Sequence, residues 1–222
     1  MGRRFYVNFH GLGSPDSDAE SSELPYWIGR DEFEEVLDGL EKALGPRLGV
    51  TFDDGFRSDL EIAVPALQER GLDATFFVLA GLLGDARRLD RGAVREIRDA
   101  GFTIGSHGWD HRKWRGLDLD VRRREMHDSR RYLEDLLGEP VTSAACPFGS
   151  YDRAVLQELR GSGYRTIYTS DPGWSADSDS VRARNTLTND VPPEALASWI
   201  SRRSGAVQGG AHRIKRWVKA RR

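Results

Sequence analysis

Val50-Thr51-Phe52-Asp53-Asp54-Gly55-Phe56 runs from a β-branched and aromatic stretch into two adjacent carboxylates and a glycine. The pattern reads as a strand that stops at its acids, with the glycine permitting a tight turn behind them. Two neighbouring carboxylates at a buried strand end are costly unless a cation faces them. Asp-Asp-Gly is also ordinary turn chemistry before a helix, so the stretch taken alone leaves a site and a turn both open.

Outward from it, short β-like runs alternate with helical ones. Strand patterns fall at 5–9, 48–52, 74–79, 103–105, 141–145 and 165–169, and helix patterns at 31–44, 59–70, 91–100, 119–137, 151–162 and 192–203. Phe33, Val36, Leu37, Leu40 and Leu44 recur at helical spacing, as do Met126, Leu133, Leu136 and Leu137, and these stripes are core faces. Gly71, Gly101, Gly138 and Gly163 close four of the helices. The alternation predicts an α/β fold, a distorted (β/α) barrel of about seven parallel strands, whose reactive groups collect where strands end and loops begin.

The fourth strand ends Gly105-Ser106-His107-Gly108-Trp109-Asp110-His111, so two of only five histidines stand four residues apart. On a helical turn that spacing puts both imidazoles on one face, as in zinc-binding helices. Two imidazoles and a carboxylate make an open three-ligand site that leaves room for water and a substrate oxygen, and the second carboxylate is then free to take a proton.

Composition bounds the rest. A 222-residue chain with 38% apolar and 31% charged residues builds one sizeable core, and a formal net charge of -2 gives no basic face for nucleic acid. With Cys146 as the only cysteine, no intrachain disulfide forms. No apolar run has the length of a signal peptide or a membrane span, which predicts a cytoplasmic protein. Residues 1–205 read as one catalytic domain and 206–222 as a basic tail. Within that tail Ile214, Trp217 and Val218 lie at helical spacing among six cations, which leaves open a solvated or docked tail and a short amphipathic helix able to touch an anionic membrane surface. No obligate protein partner is evident.

Thr51-Phe52-Asp53-Asp54-Gly55 and Ser106-His107-Gly108-Trp109-Asp110-His111 resemble the first two motifs of the polysaccharide deacetylases, the NodB-homology domains of carbohydrate esterase family four. The resemblance runs to about residue 190. It implies metal-dependent hydrolysis of N-acetyl groups from an N-acetylhexosamine-containing glycan, with metal-activated water. It makes Asp53 the base and Asp54, His107 and His111 the ligands of one divalent ion, zinc by default, with cobalt, nickel and manganese as other choices for such a ligand set. Two further readings stand beside it: a deformylase or other amidohydrolase working on a small or lipid-linked substrate, and a catalytically silent sugar-binding module.

Two family features are missing. The third motif, Arg-x-Pro-Tyr/Phe, reads Ala145-Cys146-Pro147-Phe148-Gly149 here, so proline and aromatic remain but the arginine that orients the base does not. The resemblance gives the Phe148 N–H to the oxyanion, and Arg184 is the candidate replacement for the arginine. The late Leu-x-His that supplies the acid is absent, and His10, in Val7-Asn8-Phe9-His10, resembles the N-terminal histidine of a subgroup. Asp171 and Trp174 loosely match the fourth motif, where an acid and a tryptophan wall the sugar pocket. Trp109 and Trp114 flank the histidines as further stacking candidates. The polar loop 11–23 reads as a lid or a solvated excursion, His127 as a surface residue and Asp152 as a helix cap.

Overall fold

The computed structural model of the protein describes residues 2–15 and 19–204. The basic tail from 206 on, with its proposed membrane helix, lies outside them. Six parallel strands follow one another around a curved sheet: β1 (Arg3–Phe9), β2 (Leu48–Asp53), β3 (Ala74–Val78), β4 (Thr103–Ser106), β5 (Ser143–Ala145) and β6 (Thr166–Tyr168). Three short strands were not expected from the sequence. They are β7 (Ser175–Ala176), antiparallel on β1, and the pair β8 (Val181–Arg182) and β9 (Arg184–Thr186).

The last two strands close the barrel. β8 runs parallel to β6, and after a break at Ala183 the same chain segment runs parallel to β1 as β9, with Tyr6 opposite Arg184 and Asn8 opposite Thr186. Two- and three-residue strands carry too little periodicity to stand out from a loop.

Side-chain alternation along the strands separates an outer core from the barrel interior. Phe5, Val7 and Phe9 of β1, Val50 and Phe52 of β2 and Phe76 and Val78 of β3 join the outer core. Tyr6, Phe77, Ala145 and Tyr168 form a separate cluster inside. On the outer face the rings of Phe9, Phe52 and Phe76 stack across neighbouring strands at 5.5 Å and 4.6 Å, each contact contributing about 0.5–1.5 kcal/mol beyond its buried area.

Helices cover that outer face: α1 (Arg30–Leu44), α2 (Val64–Arg70), α3 (Arg91–Asp99), α4 (Leu119–Arg123), α5 (Ser129–Leu137), α6 (Arg153–Gly161) and α7 (Leu196–Ser204). α1 buries the predicted stripe of Phe33, Val36, Leu37, Leu40 and Leu44. Asp90, Asp118 and Asp152 cap α3, α4 and α6 by accepting the N–H groups of Ala93, Val121 and Val155. Two expected helices are not continuous. Asp59–Ala63 before α2 and Arg124–Asp128 between α4 and α5 are π-helical turns, a distortion that a regular hydrophobic stripe does not reveal and that often marks functional sites. No described helix is long and apolar enough to cross a membrane.

Interior fit is tight at Gly105 of β4, where an added Cβ would lie 2.4 Å from the Phe77 ring and 2.8 Å from Ser143 Oγ. Gly105→Ala is expected to lower the unfolding free energy by about 1–3 kcal/mol in a denaturant titration, since overpacked interiors must shift side chains or backbone.

Candidate metal centre and active site

The carboxylates and imidazoles that the sequence places at two strand ends meet at one end of the barrel. Asp53 is the last residue of β2, and Asp54 follows in the left-handed region at φ +77°. His107 follows β4 directly and is buried, while His111 is also left-handed at φ +55°. The histidines do not share a helix, as their spacing suggested. They sit on an irregular loop, and it is the left-handed turn at His111 that brings its ring back to 5.1 Å from that of His107.

Asp54 Oδ1 is 3.5 Å from His107 Nε2 and 3.3 Å from His111 Nε2, and one ligand atom from each of the three residues falls within a 4.8 Å cluster. The trio is the one such group among the described residues. His107 Nδ1–H donates to the Ala145 carbonyl at 2.9 Å, which leaves the Nε2 lone pair facing the carboxylates. Burial pushes the His107 pKa down to about 4, with the Asp53 charge opposing, so its imidazole is neutral at pH 7. Asp54 Oδ1 is buried with no hydrogen-bond partner among the described residues. Two imidazole nitrogens around an unpartnered buried carboxylate oxygen are a donor set suited to a divalent cation.

The loop carrying the histidines is held by a residue that nothing in the sequence singled out. Glu125, fully buried on the π-turn before α5, accepts the N–H groups of Trp109 at 3.1 Å and Asp110 at 2.8 Å and the Trp114 indole N–H at 3.3 Å. Gly108 must be glycine there, because at φ +97° an added Cβ would stand 2.4 Å from Glu125 Oε2.

Asp53 lies beside the trio, with Oδ2 3.8 Å from His107 Nε2. Its partner is Arg184 of β9. Nη1 donates to Oδ1 at 2.6 Å and Nη2 to Oδ2 at 2.8 Å, and Asn8 Nδ2 adds a bond to Oδ2 at 3.1 Å. Arg184 is fully buried, also donates to Asn8 Oδ1 at 2.7 Å, and lies 5.2 Å and 6.0 Å from the Phe77 and Tyr168 ring centres. Burial acts to raise the Asp53 pKa. The Arg184 guanidinium and the nearby histidines outweigh it and hold the carboxyl well below the usual carboxylate range.

A cavity of about 810 Å³ opens over these groups and is also lined by His10, Tyr26, Phe148 and Arg88. His10 lies against the Tyr26 ring at 4.9 Å and burial holds its pKa below the ordinary histidine value, with Asp54 and Asp53 opposing. Phe148, 61% exposed, follows buried Pro147 in a left-handed turn at φ +56° and places its ring 4.4 Å from that of His111. Asp54, His111 and Phe148 are the non-glycine residues with positive φ among those described, and all three border this cavity. Glu20, Ser22 and Glu23 also line it, so the end of the 11–23 loop is a wall of the cavity rather than a solvated excursion.

The tryptophans and Asp171 go elsewhere. Trp174 packs edge-on against Phe5 at 5.3 Å and donates to Ser204 Oγ at 2.8 Å, outside the cavity, because the loop after β6 folds back to pair β7 with β1. Asp171 accepts the Tyr151 hydroxyl at 2.6 Å. Trp109 packs on Tyr132 at 5.5 Å, and Trp114 is fully buried. His127, expected on the surface, is half-buried and bonds Glu158 of α6 and Ser162 at its C-terminal cap at 2.5 Å and 3.0 Å.

The polysaccharide deacetylase family model matches residues 41–167, more than half of the chain. The chain belongs to the polysaccharide deacetylase family. It is 30% identical over 124 residues to YxkH of Bacillus subtilis (strain 168), covering 56% of this chain and 44% of that protein. To the peptidoglycan-N-acetylglucosamine deacetylase PgdA of Listeria monocytogenes it is 28% identical over 140 residues, 63% of this chain and 28% of the other. The chain thus spans less than half the length of these relatives. The deacetylase PplD of Streptococcus pyogenes shares its fold, with a TM-score of 0.77 at 22% identity over 90% of this chain and 98% of that one.

The Asp53–Arg184 pair sets a test of stability. A folded-state pKa held below the unfolded value contributes stability above the ordinary carboxylate range and loses it only as pH falls through the depressed folded value. In Arg184→Met the buried Asp53 keeps its desolvation without its main partner, its pKa rises, and the sign reverses. Stability at pH 7 is expected to drop by about 3–5 kcal/mol and to recover partly on acidification to pH 5, read from denaturant unfolding of the metal-free protein across that range.

Proposed function

We propose that the protein is a metal-dependent deacetylase that hydrolyses the acetamide of N-acetylhexosamine units in a glycan. The observation that carries this reading is the convergence of Asp54, His107 and His111 around one point, with a second carboxylate, Asp53, beside them. Family membership and the substrate named for PgdA support the choice of substrate class.

In this reading Asp54 Oδ1 and the two Nε2 atoms hold a divalent ion, zinc by default. Such an ion, when bound, polarises the acetamide carbonyl and lowers the pKa of the attacking water. Asp53 takes the proton from that water. Because Arg184 and Asn8 hold both its oxygens, it stays ionised and aimed into the cavity over the working pH range. The Phe148 N–H, set by its left-handed turn, donates to the oxyanion as the carbonyl carbon becomes tetrahedral. His10 delivers a proton to the departing amine nitrogen, the C–N bond breaks, and acetate and a free amino sugar leave. Tyr26 and Phe148 give the sugar ring apolar faces at the mouth.

The reading predicts acetate, not formate, from N-acetylglucosamine oligomers, with loss of release on chelation and recovery on adding zinc. Asp53→Asn is expected to abolish turnover while zinc still binds. Acetate release by that variant at the wild-type rate would remove Asp53 from the mechanism.

His10→Ala is expected to lower kcat by about 10²–10⁴-fold. Since burial holds the His10 pKa below the ordinary histidine value, its protonated fraction falls as pH rises through that range, and kcat/KM of the wild type should fall with it. That alkaline limb is expected to vanish from the pH profile of His10→Ala.

A further inference from the structure

Asp54 presents its two oxygens to different neighbours. Oδ1 faces His107 and His111, whereas Oδ2 faces Arg88, whose Nη1 is 4.0 Å away. The same Nη1 donates to the Asp54 main-chain carbonyl at 2.9 Å, so one guanidinium bonds the backbone of this residue and faces its side chain as an ion pair. Asp54 adopts its left-handed backbone without the freedom of glycine, a conformation that costs of order 1–3 kcal/mol and persists only when its surroundings over-determine it.

Those surroundings come from the segment before α3. Arg57 N–H donates to the Arg87 carbonyl at 3.1 Å and Leu89 N–H to the Gly55 carbonyl at 2.8 Å, with Phe56 and Arg88 forming an antiparallel bridge between them. Arg88 is 9% exposed, and its guanidinium lies 4.0 Å from the centre of the Phe56 ring. It is therefore fixed from below by the bridge and from one face by an aromatic before it reaches Asp54.

We infer that Arg88 is a positioning residue for the metal ligand: it holds Asp54 in its left-handed turn and turns Oδ1, not Oδ2, toward the two imidazoles. The inference rests on the proposed metal-dependent reading. Two effects of Arg88 have opposite signs. As a cation near a dication it weakens metal binding by repulsion, and as a clamp on the ligand it strengthens it. The short contact to the Asp54 carbonyl and the longer one to Oδ2 favour the clamp.

Zinc affinity of the full chain, measured by competition with a chromogenic chelator, separates them. Arg88→Met keeps the stem over Phe56 and removes the donors. It is expected to bind zinc about 10–100-fold more weakly, the usual range for loss of a group that orients a ligand. At saturating zinc its kcat should return to within a few-fold of wild type. Arg88→Lys, with a single point charge in place of the fork, should recover part of the affinity. Zinc affinity equal to or tighter than wild type in a folded Arg88→Met overturns the inference. Should that variant not fold, the same result in Arg88→Lys overturns it. Wild-type protein that fails to bind zinc overturns the metal-dependent reading itself and, with it, the clamp.

Discussion

The buried pair of Arg184 and Asp53 is the constraint around which this barrel is arranged. A carboxylate and a guanidinium inside a low-dielectric interior are tolerable only as a saturated pair, and here Asn8, Phe77 and Tyr168 complete the set. The pair also ties the last strand to the first ones across β1, since Asp53 ends β2 on one side of β1 and Arg184 opens β9 on the other. The strand that completes the barrel on β1 is therefore also the one that brings the cation to Asp53.

Ala145 explains how the arginine can come from there. β5 contributes a small side chain to the interior cluster, and the main-chain carbonyl of that residue receives the His107 Nδ1–H. Arg184 reaches that same interior from β9, its guanidinium against the Phe77 and Tyr168 rings that cluster with Ala145. In this chain the guanidinium on the carboxylate of Asp53 is supplied by β9.

Around the pair, the site stores backbone strain and supports it from behind. Asp54, His111 and Phe148 occupy left-handed conformations without being glycine. Glu125 ties down the histidine loop through three N–H groups, and the bridge between Phe56 and Arg88 braces the turn after β2. Two of the cavity's aromatic rings back directly onto imidazoles, Tyr26 on His10 and Phe148 on His111, so the surface offered to a ligand is built from the same residues that fix the ring planes.

The sequence by itself determined the alternation of strands and helices, the helix faces and caps, and the pairing of Asp53-Asp54 with His107 and His111 at strand ends. Each of these is a local pattern, of period two or 3.6 or of a few adjacent residues. It also marked Arg184 and His10 as residues to watch, through features the family carries and this chain lacks. Only the tertiary structure decided that residues 181–186 close the barrel, that Trp174 and Asp171 turn away from the cavity, and that the histidine pair lies on a loop. It alone brought Glu125 and Arg88 to the site. Glu125 lies in a charged helical stretch and Arg88 among other arginines, where nothing local distinguishes them. Their roles follow from contacts 11 to 34 residues away in sequence, and such contacts exist only once the chain has folded.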